Sequence, residues 1–114
     1  MKKFLLSLLF VCGFTYAGPQ YTLITPFPPG KINMLTLQAI PELNRVTDSV
    51  FKQEVIPGAG GLIATNTFLN NKDPNRLLVA TQNVLTLGPM FNPDIKYTKA
   101  DFRPVALISE NYMC

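Results

Sequence analysis

The sequence predicts an α/β fold built on a parallel βαβαβ sheet, on three observations. Short β-branched or apolar runs alternate with stretches of helical spacing. Each run stops at a cluster of Pro, Gly or Asn, the punctuation expected at a strand end. One run, Leu77-Leu78-Val79-Ala80-Thr81, is continuous rather than alternating, as in a strand covered on both faces. There is no internal repeat, heptad or low-complexity segment.

A leader precedes the first element. Met1-Lys2-Lys3 is positive, and Phe4 to Phe14 is an 11-residue apolar stretch with one Ser. That is short of the roughly 18 to 20 residues a membrane-spanning helix needs. Thr15-Tyr16-Ala17 supplies the small residues of a cleavage site. Residues 1–17 therefore read as a secretory signal peptide, which places the mature protein in the periplasm. Cys12 raises a lipoprotein alternative, but Val11 stands where that processing wants a small residue.

Gln20 to Thr25 reads as the first strand and ends at Pro26. Pro26-Phe27-Pro28-Pro29-Gly30 is a stiff loop, since each proline fixes its own φ and biases its predecessor away from helix. Asn33 suits a cap for the next segment, where Leu35, Ala39 and Leu43 recur at helical spacing. Pro41 is expected to kink or restart that helix. Val50 to Ile56 reads as the second strand, stopping at Pro57-Gly58-Ala59-Gly60-Gly61. Leu62 to Leu69 is a short helix and Asn70 to Asn75 a turn cluster. Leu77 to Thr81 is the third strand. Val84 to Leu87 is a helical turn broken by Gly88-Pro89, and Pro104 to Ile108 a fourth strand.

Composition excludes several functions. Cleavage after Ala17 leaves 97 of the 114 residues and lowers the net charge from +3 to +1, because Lys2 and Lys3 leave with the leader. The remaining basic residues are scattered among acids, which argues against a nucleic-acid partner. Cys114 is then the only cysteine, so no internal disulfide forms. The sequence has no His, and the mature chain has only Ser49 and Ser109 as serines, neither in a nucleophile-elbow context. One Cys without His builds no zinc site. Nothing implies a catalyst or a cofactor, and Glu42, Asp48, Asp73, Asp94 and Asp101 read as solvated charges.

Two loops look like anion-binding elements, and one of them fails. Thr25 to Ile32 resembles a phosphate-binding loop, but Thr25 replaces the first Gly and Ile32 the metal-binding hydroxyl. Its prolines also remove backbone donors. Gly58 to Gly61 fares better. Glycines let successive N–H groups turn to one side, and the following helix adds the positive end of its dipole. A tight turn that merely permits close packing remains the alternative. In an open parallel sheet, the loops at Pro28–Gly30, Gly58–Gly61 and Thr81–Asn83 share one edge, where ligands bind. Thr81, Gln82 and Asn83 supply hydroxyl and amide groups, a set suited to a carboxylate held by neutral hydrogen bonds.

Pro26-Phe27-Pro28-Pro29-Gly30, Pro57-Gly58-Ala59-Gly60-Gly61, Asn92-Pro93-Asp94 and Phe102-Arg103-Pro104-Val105-Ala106-Leu107 follow one another in order. Over residues 20 to 110 this series resembles the extracytoplasmic solute receptors of the tripartite tricarboxylate transporter system, the Bug family. The resemblance implies a type II-like periplasmic binding protein that closes on a small carboxylate and delivers it to membrane permease subunits. It assigns ligand contact to Pro29 and Gly30, to Gly58, Ala59, Gly60 and Gly61, and to Thr81, Gln82 and Asn83. The family usually has a second Gly where this chain has Lys31, an Asp at Met34, and polar residues at Val55 and Ile56. The missing Asp weighs against an ammonium-bearing ligand. Lys31 is either a cation for a dicarboxylate or a solvated side chain. Two lobes need about 100–150 residues each, so residues 18–114 are expected to form part of lobe one. An inactive truncated fragment and a small periplasmic interaction module are the alternative readings.

Overall fold

The structure, a computed structural model, describes residues 18–110. Residues 1–17, which the sequence suggests are a signal peptide and which include Cys12, and Cys114 lie outside the described residues. Strand β1 spans Gln20–Thr25, helix α1 Lys31–Thr47, β2 Val50–Val55, α2 Leu62–Asn70 and β3 Arg76–Leu78. The strands form a parallel sheet of order β2-β1-β3. An α/β fold with a parallel βαβαβ sheet is what the sequence predicts.

β1 is central and pairs in register with Val50–Val55 on one side and Arg76–Leu78 on the other. Its Leu23, Ile24 and Thr25 are all buried. Successive strand residues point to opposite faces, so both faces of β1 are covered. Right-handed crossovers explain this. The chain steps from β1 to β2 on one side and returns across β1 to β3, which puts α1 and α2 on opposite faces. Gln53 marks the α1 face: its Nε2 donates to Thr25 Oγ1 at 2.9 Å and to the Asn33 carbonyl at 3.4 Å. Tyr21 and Phe51 stack on that face, centroids 5.0 Å apart.

The third strand is shorter than expected, ending at Leu78 rather than Thr81. Thr22 N–H donates to the Asn75 carbonyl at 2.9 Å, and Val79 N–H to the Ile24 carbonyl at 2.8 Å. The next rung would need an N–H from Pro26, which has none. The chain instead enters a π-helical turn, Asn83–Leu87, that runs into α3, Gly88–Phe91, without the expected break at Gly88-Pro89.

Three further expectations are corrected. α1 starts at Lys31 with Gly30 as its N-cap, and Asn33 lies inside its first turn. Pro41 lies inside it, and the helix does not restart there. Packing against β2 sustains the helix, and Asn44 Oδ1 accepts the Phe51 N–H at 2.7 Å. The buried residues of α1 are Asn33 and Thr36, while Met34, Leu35 and Leu37 are exposed. The fourth strand is absent: residues 102–110 carry no regular structure. Val105 and Leu107 are 77% and 78% exposed. A strand is sustained by cross-strand pairing, and this segment has none among the described residues.

Among the described residues, Leu23, Ile24, Pro26, Ala64, Val84 and Tyr97 are buried apolar residues. Tyr97 fastens the last segment to this core. Its hydroxyl donates to the Val84 carbonyl at 3.0 Å, and its ring meets Phe102 edge-on at 5.6 Å. Phe102 stacks in turn on Phe68 of α2 at 6.2 Å. Among the described residues, no helix is long and apolar enough to cross a membrane.

Candidate functional site

Parallel strands bring the loops after β1, β2 and β3 to the same edge of the sheet. They converge on Gly61. A Cβ built there would stand 2.7 Å from Val84 Cγ2 and 3.3 Å from Pro26 Cβ. Gly61 is buried, so its lack of a side chain is what lets the first and third loops close on the second.

The second loop is bent by an unusual run of backbone. Gly58, Ala59, Gly60 and Gly61 all have positive φ, at 129°, 47°, 64° and 96°. Positive φ costs a residue with a Cβ, so three of these positions suit glycine, and Ala59 is held by its neighbours. The Gly61 N–H donates to the Gly58 carbonyl at 3.0 Å, and Leu62 N–H to that of Ala59. Thr65 Oγ1 donates to the Gly61 carbonyl at 2.7 Å and pins the turn to α2. A Cβ at Gly60 would meet nothing within 4 Å, so this residue faces open space.

The residues expected at the ligand are not equally placed to meet one. Pro29, Gly30, Ala59, Gly60, Gln82 and Asn83 are exposed at the edge, and Gly58 and Thr81 are half-buried. Gly61 is covered and its N–H is engaged, so its part in the arrangement is packing. The Thr81 carbonyl accepts the N–H groups of Val84 and Leu85 at 3.1 and 3.2 Å, fixing the third loop to the turn that follows.

Charge at this edge is one-sided. Segments 26–34, 56–66 and 79–91 contain no Asp or Glu, and Lys31 is their one charged residue. Neither α1 nor α2 has a side-chain cap or a first-turn acid. The positive ends of both helix dipoles are therefore left without a neutralising side chain. Acids lie elsewhere. Glu54 pairs with Arg76 at 2.7 Å. Glu42 lies beside Arg45 on an exposed turn of α1, which holds its carboxyl below the usual range. Among the described residues, no cluster of His, Cys, Asp or Glu is placed to hold a metal.

A separate open groove of about 540 Å³ runs between Leu62, Asn66 and Asn70 of α2 and the Asp94–Asp101 segment. None of the residues expected to contact the ligand lines it. Asp94 and Asp101 on its wall outnumber Lys96 and disfavour an anion.

Sequence reasoning missed the polar layer beneath the first loop. Asn33 Nδ2 donates to the Phe27 carbonyl at 3.1 Å, and Gln53 bridges Thr25 and Asn33. Thr25 and Asn33 are buried. The available signal was a Gln in β2 opposite Leu23, on the face that α1 covers.

No protein-family model, curated protein or solved structure matches the chain.

Proposed function

We propose that the chain is a receptor-like module of an exported solute-binding protein, which holds a small carboxylate at the C-terminal edge of its sheet. In this reading it acts in the periplasm and passes the ligand to permease subunits of the tripartite tricarboxylate type. The observation that carries the proposal is the acid-free edge where three loops meet at Gly61, beside two uncapped helix N-termini. Oriented backbone N–H groups and dipole ends attract an anion without a charged side chain. The loop residues at this edge are exposed, so a ligand there stays wet and each neutral hydrogen bond gains little net energy. Binding is therefore expected to be weak, on the order of millimolar.

Calorimetry with a dicarboxylate such as succinate tests this on wild type and Gly60→Val. Gly60 has φ of 64°, which a β-branched residue adopts poorly. Two donors turned away would cost on the order of 3 kcal/mol, about a hundredfold in affinity. The variant is expected to retain its circular dichroism and lose measurable binding. Unchanged affinity removes the Gly58–Gly61 turn from the site.

A second reading is favoured by a separate observation. Among the described residues, β2 has a partner on one side only, and residues 103–110 are exposed along their length. An interaction module that pairs through such edges fits these features.

A further inference from the structure

Gly18 is buried against the C-terminal end of α1. A Cβ built on it would stand 2.0 Å from the Asp48 carbonyl oxygen and 3.1 Å from the carbonyl carbon. Both are backbone atoms that cannot swing aside, so only glycine fits. The Gly18 nitrogen is two bonds from that Cβ position, which keeps it within about 4.5 Å of the same oxygen. The residues that follow hold Gly18 in place. The Pro19 carbonyl accepts the Val50 N–H at 2.9 Å, and Gln20 pairs with Val50 in register.

Charge at this end of α1 is unbalanced. A helix C-terminus favours a cation, yet the residue that caps α1 is an acid, Asp48. Arg45, the one base of the last turn, is engaged with Glu42. Among the described residues, no backbone N–H donates to the Asp48 carbonyl. We propose that cleavage after Ala17 supplies the missing cation: the new Gly18 ammonium donates to the Asp48 carbonyl, within the field of the Asp48 carboxylate. This inference rests on the reading of residues 1–17 as a leader. In the uncleaved chain the Gly18 nitrogen is a neutral amide with one hydrogen. Once freed it is largely protonated at neutral pH and carries three hydrogens, which rotate to meet the carbonyl. Removal of the leader therefore completes the fold, and the precursor is the less stable form.

The test uses the mature chain isolated from the periplasm, its first residue established by intact mass. Thermal melts at low salt compare the chain beginning at Gly18 with the same chain acetylated on Gly18, and with one beginning at Ala17. Acetylation removes the charge, whereas the extra residue moves it outward. Each is expected to melt about 3 °C below the Gly18 chain, and the gap to narrow in about 1 M salt. Asp48 has a φ of 50°, which Asn tolerates, so Asp48→Asn keeps the backbone and is expected to roughly halve the gap. An acetylated chain that melts with the free one overturns the proposal. So does an Ala17 chain as stable as the Gly18 chain, because the position of the charge would then be immaterial. The Ser49 N–H shares a peptide bond with the Asp48 carbonyl, so its amide resonance is expected to shift on acetylation. An unmoved Ser49 resonance overturns the proposal even where the melt is too broad to read. A periplasmic product that begins elsewhere than Gly18 removes the leader reading and this proposal with it.

Discussion

At Gly61 a hydrogen in place of a side chain lets Pro26 and Val84 close on one point. Gly61→Ala would set a Cβ 2.7 Å from Val84 Cγ2 at a φ of 96°, which combines a clash with backbone strain. We expect a loss of about 1–3 kcal/mol in urea denaturation. Gly60→Ala meets no atom and carries strain alone, about 1 kcal/mol. Equal losses for the two would contradict the packing role assigned to Gly61. The turn itself was legible, because clustered glycines before a helix have few other uses. The positive φ of Ala59 was not, since an alanine there runs against its own preference. The burial of Asn33 and Thr25 was equally hidden. Each reads as a surface or cap residue by itself, and burial depends on Gln53, which is far away in sequence.

Among the elements, α1 shows where local propensity yields to packing. Pro41 removes the N–H that would bond the Leu37 carbonyl, yet the helix continues through Thr47. Pro41 is exposed, so Pro41→Ala restores that bond without disturbing the core. We expect a stability gain of about 1–3 kcal/mol in thermal melts, with more helical circular dichroism. No gain would mean that the rigid ring offsets the lost bond in the unfolded chain. The first two strands and the second helix were legible within about two residues, because Pro and Gly mark their ends. The third strand was misjudged because its length is set by Pro26, which follows the end of β1. The fourth was misjudged because β-branched composition describes a residue's fitness for a sheet, whereas a strand also needs a partner. Residues 104–108 have the first and lack the second.

At the scale of the whole molecule, the α/β class follows from alternation alone, while the extent of the core does not. Among the described residues few apolar side chains are buried, and many large ones, Met34, Leu37, Val105 and Leu107 among them, face solvent. Unpaired edges and exposed apolar segments invite self-association. Sedimentation velocity over a dilution series is expected to show reversible association, and Leu107→Lys to weaken it without moving the melting temperature. A strictly monomeric chain at all concentrations would count against the interaction-module reading. The central claim, an anion site at the C-terminal edge of the sheet, is tested most directly by amide shift mapping during a succinate titration to roughly 10 mM. The account predicts saturable shifts at Lys31, Ile32, Gly58, Gly60, Gln82 and Asn83. Shifts confined to Asn66, Asn70 and Lys96 along the α2 groove, or none at all, would contradict it.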